Sequence, residues 1–131
     1  MPTIRGGAGS AGAAGLAGAA GLKTELFKRP DWSPLPFEGC VGVDGKVLVD
    51  EPDFFLALLR FRPDGTIHEH PGPNDTIVMC IGGDGWTSVA GERVQLHAGE
   101  LVRWPRDTPH RLWTEGTEMT TLMYERKLEP V

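Results

Sequence analysis

Three imidazoles and one carboxylate in this chain have the types and spacing of a metal-binding set. His68 and His70 stand two residues apart. On a strand, residues i and i+2 leave the same face, so both rings can reach one point. Asp75 follows Pro71-Gly72-Pro73-Asn74, a run able to swing the chain back. His110 lies further on, directly after Pro105-Arg106-Asp107-Thr108-Pro109. Three imidazoles and a carboxylate suit one divalent transition metal ion: iron, manganese, nickel, copper or zinc. Coordination positions left open would bind a substrate oxygen, with the ion as Lewis acid or redox centre.

The elements that must position these residues read as strands. Short apolar runs at 39–49, 54–61, 76–81, 86–90, 93–96, 100–104, 110–114 and 119–125 are separated by turn residues. The breakers are Asp44-Gly45, Pro63-Asp64-Gly65, Gly82-Gly83-Asp84-Gly85, Ala90-Gly91-Glu92 and Ala98-Gly99. Seven or eight short strands without a helical period predict an all-β barrel or sandwich. Within 76–81 the odd residues Ile77, Met79 and Ile81 share a face with Asp75, and that face is expected to be the barrel interior. Thr76, Val78 and Cys80 would then point outward, and the apolar Val78 and Cys80 there fit a dimer interface or simple sheet packing equally well.

The segment GTIHEHPGPNDTIVMCIGG resembles the first motif of the cupin family, G(X)5HXH(X)3–4E(X)6G. From the first histidine onward the spacing matches: His68-Glu69-His70, four residues, Asp75, six residues, Gly82. GELVRWPRDTPHRLWT resembles the second motif, G(X)5PXG(X)2H(X)3N, through Gly99, Pro105 and His110. The resemblance spans roughly residues 40–126. It implies a double-stranded β-helix, the jelly-roll or cupin barrel, with His68, His70, Asp75 and His110 as metal ligands. There are departures. Asp75 stands for the family's Glu and is one methylene shorter. Asp107 stands for Gly and Thr114 for Asn, and only two residues separate Gly65 from His68.

Around this set, Met79 and Trp104 flank the motif elements and are the expected substrate-pocket residues. Arg60 and Arg62 share one face just upstream of the ligands, and either turned inward could grip a substrate carboxylate. Tyr124 is expected in the core with its hydroxyl at the rim. Trp32 and Phe37 are expected to cover an open end of the domain. Glu69 should point away from the site by strand alternation. His97 has no spaced partner and reads as a solvated loop histidine.

Composition narrows the partners. The 131 residues suit one domain with its own core. Net charge is −5 and no block of Lys or Arg occurs, which argues against nucleic acid and against a membrane surface. Cys40 and Cys80 make no CxxC pair and read as free thiols of a reducing cytoplasm. Residues 1–25 are rich in Gly and Ala, with glycine at every third position from Gly6 to Gly21, and read as a flexible segment before a barrel over residues 26–131.

The functional expectation is a metal-dependent enzyme acting on a small polar organic molecule. The resemblance implies dioxygenase-, isomerase- or lyase-type chemistry. The alternative is a non-catalytic cupin that binds or senses a small molecule or metal. A homodimer through an outward sheet edge is also expected.

Overall fold

The computed structural model describes residues 21–128. Among them are eight strands: β1 (Arg29–Pro34), β2 (Cys40–Asp50), β3 (Phe54–His70), β4 (Asp75–Val89), β5 (Glu92–His97), β6 (Leu101–Trp104), β7 (His110–Trp113) and β8 (Met119–Arg126). All pairings are antiparallel, and together they close a barrel of the jelly-roll type.

Two long strands organise it. The first part of β3 pairs with β2 and β8, and its last residues pair with β7. The first part of β4 pairs with β8 and β6, and its second part with β5 and β7. Each strand therefore serves two sheets and must bend between them. The bends fall at Pro63-Asp64-Gly65 and Gly82-Gly83, where Asp64 (φ 64°) and Gly83 (φ 70°) take left-handed backbone. Sequence reading takes these places, and Asp44-Gly45, as breaks between short strands. In the structure β2, β3 and β4 run through all three. A chain that turns a barrel corner keeps its ladder on both sides and needs only one residue that tolerates the kink.

The core is built from Val43, Leu59, Phe61, Ile67, Val78, Cys80, Leu96, Trp104, Leu112 and Met119. This reverses the expected parity of β4: Thr76, Val78 and Cys80 face inward, while Ile77 and Met79 are half-buried on the outside and Ile81 is exposed. Register across the sheet enforces the choice. Val78 sits between Met123 and Val102, in one inward row with Ala57 and Val47. Val78 and Cys80 thus give no ground for an outer interface. Tyr124 lies on the outer face, stacked on Phe54 at 5.8 Å between ring centres, because its cross-strand neighbours Leu56 and Ile77 are outward residues. Trp32 covers no open end; it lies under the Arg60 guanidinium at 4.2 Å, with the Lys46 ammonium at 4.9 Å.

Both cysteines are free, and burial raises both thiols above their ordinary pKa. Among the described residues no helix is long and apolar enough to cross a membrane. The glycine period from Gly6 to Gly18 lies outside the described residues.

The corner at Gly83 yields a measurable contrast. A Cβ there would collide with the Glu118 carbonyl oxygen, whereas one on Gly91, also at positive φ, meets open space. Gly91→Ala is expected to cost about 1–2 kcal/mol, the left-handed penalty alone. Gly83→Ala is expected to cost at least ~2 kcal/mol more, because the barrel corner must shift. Urea unfolding of the two variants against wild type measures the difference.

Candidate functional site

A cavity of about 690 Å³ opens at one end of the barrel. Its walls are mostly apolar: Leu35, Phe55, Ala57, Leu59, Ile67 and Met123. Phe37 stands at the mouth, as expected of a residue that covers an open end, and is itself exposed. The polar end of the cavity holds His68, His70, His110 and Thr76, with Trp104 beside them.

The histidines are brought there by one irregularity. Ile67 pairs with Leu112 and His70 with His110, so two residues of β3 oppose the single Arg111 of β7. This one-residue bulge breaks the i, i+2 rule and puts His70 on the inward face of Ile67. The His70 and His110 rings meet edge to face at 4.6 Å. His68 is set apart by the same bulge: its ring packs on Gly39, at positive φ, where a Cβ would come within 2.6 Å of Cδ2. Glu69, which alternation would turn away, also lines the cavity mouth.

Both members of the close pair have a fixed tautomer. Nδ1 of His70 lies 2.9 Å from the His68 carbonyl oxygen, and Nδ1 of His110 lies 3.0 Å from that of Thr108. A carbonyl only accepts, so each Nδ1 carries a proton, and in the neutral form of each ring Nε2 keeps its lone pair. That is the arrangement a metal-ligating histidine needs. Burial, followed by the neighbouring His70, lowers His110 from its ordinary pKa to about 4, against the opposing bond to Thr108. His110 is therefore uncharged at neutral pH.

His110 is also clamped by its surroundings. Trp104 stacks on it at 4.0 Å with the planes 11° apart. The Trp104 indole N–H donates to Thr87 Oγ1 at 3.0 Å, and that hydroxyl donates to the Arg111 carbonyl at 2.8 Å. Thr87 is fully buried, so one core hydroxyl ties the stacking ring to the backbone next to His110. Gly72 closes over the far side: a Cβ there would lie 3.4 Å from His110 Cε1. The Gly72 carbonyl accepts from Asp107 N at 2.6 Å, which joins the turn after His70 to the loop before His110.

Four expected site residues stand elsewhere. Asp75 is on the outer face, across the ladder from Arg126, and its Oδ1 accepts from Arg106 N at 3.0 Å. It lines a second depression with Arg103 and Tyr124. The inward position at that point of β4 belongs to Thr76. Met79 is outward, between Leu101 and Leu122. Arg62 and Arg60 grip the carboxylate of Asp44 at 2.8 and 3.5 Å, outside the cavity. They are outward because Leu59 and Phe61, with which they alternate, are in the core. Trp104 alone of the expected pocket residues lines the cavity. His97 is exposed as expected, but it ends strand β5 rather than lying in a loop, and its Nδ1 is 3.2 Å from Glu100 Oε1.

One residue that sequence reading passes over is Glu125. Strand β8 alternates Met119, Thr121, Met123 and Glu125 along the face that buries Met119 and Thr121, so its last inward residue is an acid. Glu125 sits beside Thr76 in the ladder, lines the cavity, and accepts from Asn74 Nδ2 at 2.6 Å. An acid closing an inward stripe is a signal the sequence carries. Among the described residues no three His, Cys, Asp or Glu side chains converge into a complete ligand set.

Comparison with known proteins bears on the fold. The family model described as "Cupin domain" matches residues 57–124. Three solved structures illustrate the likeness. The polyketide cyclase RemF from Streptomyces resistomycificus is 19% identical with a TM-score of 0.70, over 83% of each chain. A cupin-like protein from Thermotoga maritima is 21% identical with a TM-score of 0.70, over 82% of this chain and 86% of that one. KdgF from a Halomonas species is 18% identical with a TM-score of 0.62, over 82% and 97%. No curated protein sequence matches the chain.

Two outcomes follow from the clamp on His110. Its folded pKa is depressed, so in metal-free protein its stabilising share is complete above about pH 6.5 and is lost as pH falls toward 4. The loss runs at no more than about 1.4 kcal/mol per pH unit. His110→Gln is expected to remove that part of the slope, read from urea unfolding at pH 7, 6 and 5. Thr87→Val leaves the Trp104 N–H buried without its acceptor and is expected to cost about 1–3 kcal/mol, with a changed Trp104 near-ultraviolet dichroism.

Proposed function

The chain belongs to the cupin family, and from that premise we propose that it is a small metal-dependent enzyme whose substrate is a largely apolar organic molecule. The ligand's body lies against Leu35, Phe55, Leu59, Ile67 and Met123, and its polar group meets the histidines. The observation that carries this reading is the pair His70–His110 in the lining of a mostly apolar cavity, each ring with its Nδ1 on a backbone carbonyl oxygen. The apolar lining moves the expected substrate from a polar molecule to one with a single polar handle.

The imidazoles fit a divalent ion of iron, manganese, nickel, copper or zinc. His70 and His110 would hold it; His68, whose ring packs on Gly39, stands apart from the pair, and Asp75 would take no part. A bound ion would draw charge from the ligand's oxygen as a Lewis acid. The remaining work falls to side chains. Glu125, aligned by Asn74, is the group able to take a proton from the ligand and return it. Trp104 and Thr87 keep His110 in place. A base beside a polarised oxygen serves isomerisation, elimination or cyclisation. RemF, a polyketide cyclase of the same fold, is a precedent in kind.

A second reading is a cupin that binds its small molecule without transforming it. It is favoured by one observation: among the described residues three ligating side chains do not converge.

Metal content separates the readings. Untagged protein purified without chelator is expected to carry about one transition-metal ion per chain by elemental mass spectrometry. His70→Ala and His110→Ala are each expected to weaken metal binding ~100-fold or more, while Asp75→Asn changes it less than ~3-fold. Absence of metal after soaking and dialysis would favour the binding reading. Loss of metal in Asp75→Asn alone would return the carboxylate to the site.

A further inference from the structure

One cation on the inward side of the barrel has no part in the site described above. Arg29 opens the edge strand β1 and pairs with Val47, so its side chain leaves the sheet on the face that carries Val47, Ala57, Met123 and Val78. It lines the cavity and is exposed to water. Among the described residues it makes no ion pair and no stack on an aromatic ring, whereas most other charges of the lining are engaged. Lys127 Nζ lies 2.6 Å from Asp50 Oδ1, and Arg29 acts on that carboxylate only weakly, after Lys127 and Lys28. Glu125 accepts from Asn74, and the Lys46 ammonium lies over the Trp32 ring. Glu38 and Glu69 flank Gly39 and His68, whose ring packs on Gly39, so both acids stand on the histidine side of the cavity.

We propose that Arg29 sets the specificity of the cavity for an elongated organic acid: the ligand carries a carboxylate at the end away from the histidines, and the Arg29 guanidinium holds it at the rim. This rests on the cavity being the ligand site. The planar guanidinium offers two parallel N–H groups, which match the two oxygens of a carboxylate. A phosphate would call for several cations, and here there is one without an ion pair. An acid at an exposed arginine keeps part of its water, so the charge is not stranded among the apolar walls. The sheet sets the shape of the molecule. From Arg29 to Val78 the inward row crosses four strand gaps, ~19 Å along the curved wall at ~4.8 Å each, and the side chains between are Val47, Ala57 and Met123. Trp104, stacked on His110, lies one strand beyond β4. A ligand that meets both ends is therefore amphiphilic and of medium chain length: one polar group at His70 and His110, an apolar body, and the acid at Arg29. Arg60 and Arg62, the arginines expected to grip such a carboxylate, hold Asp44 outside the cavity instead.

The test is calorimetric titration of the full chain, as purified, with 10-hydroxydecanoate and with 1,10-decanediol at neutral pH and low salt. The two probes share a hydroxyl and a ten-carbon body and differ in the acid. Wild type is expected to bind the acid about tenfold more tightly than the diol, the scale of one charge-assisted contact at a wet rim. Arg29→Gln changes an exposed residue, so the barrel should fold with an unchanged far-ultraviolet spectrum. In it the preference is expected to fall below ~2-fold, with the affinity for the diol unchanged. Lys28→Gln removes the neighbouring cation, which does not line the cavity, and is expected to keep the preference. Equal binding of acid and diol by wild type overturns the proposal, as does a preference that survives in Arg29→Gln or is lost equally in Lys28→Gln; the cavity then remains the ligand site. A preference lost in His70→Ala but kept in Arg29→Gln puts the acid at the histidines and overturns it too. Binding of neither probe overturns the cavity as a site for such molecules, and the role of Arg29 with it.

Discussion

Strand β4 can bury Thr76, Val78 and Cys80 or Asp75, Ile77 and Met79, but never both sets, because alternate side chains leave opposite faces of a sheet. The ladder with β8 and β6 settles it: Val78 lies among Met123, Val102 and Ala57, in the filled core. From that single parity follow the position of Thr76 beside Glu125 and Trp104, the exclusion of Asp75 from the cavity, and the apolar outer face. Shifting the register by one residue would exchange all three.

The second constraint is the bulge between Ile67 and His70. A regular ladder would set Glu69, not His70, opposite His110. One extra residue reverses that, and the histidine pair exists only because of it. The carbonyls of His68 and Thr108 then fix which nitrogen of each ring faces the cavity. Trp104, anchored by Thr87 in the core, holds the His110 plane. Site and core are one construction: the hydroxyl that satisfies the indole also reaches the backbone beside the ligating ring.

Much of this was legible in the sequence, and the failures are instructive. Turn residues and apolar runs gave the all-β class, and the spacing of His68, His70, Gly82, Gly99, Pro105 and His110 gave the barrel family. Ala90-Gly91 and Ala98-Gly99 separate strands as expected, whereas Asp44-Gly45, Pro63-Asp64-Gly65 and Gly82-Gly83-Asp84-Gly85 lie within strands, since a Gly-Gly step marks a kinked strand as readily as a hairpin. The parity of β4 was unreadable locally because both of its faces are apolar: Ile77, Met79 and Ile81 alternate with Val78 and Cys80. A strand with apolar residues on both faces carries no alternation to read. Arg60 and Arg62 could be placed only once Leu59 and Phe61 were known to be core. The bulge left no mark in residue types.

The claim on which the functional reading rests is that His70 and His110 offer bare Nε2 atoms to one point in the cavity. The most direct measurement is a long-range ¹H–¹⁵N spectrum of the imidazole nitrogens before and after one equivalent of zinc. Both rings are expected as the Nδ1–H tautomer, and zinc is expected to shift both Nε2 resonances together while leaving the carboxylate of Asp75 unmoved. Rings protonated at Nε2, or Nε2 signals indifferent to zinc, would contradict the account.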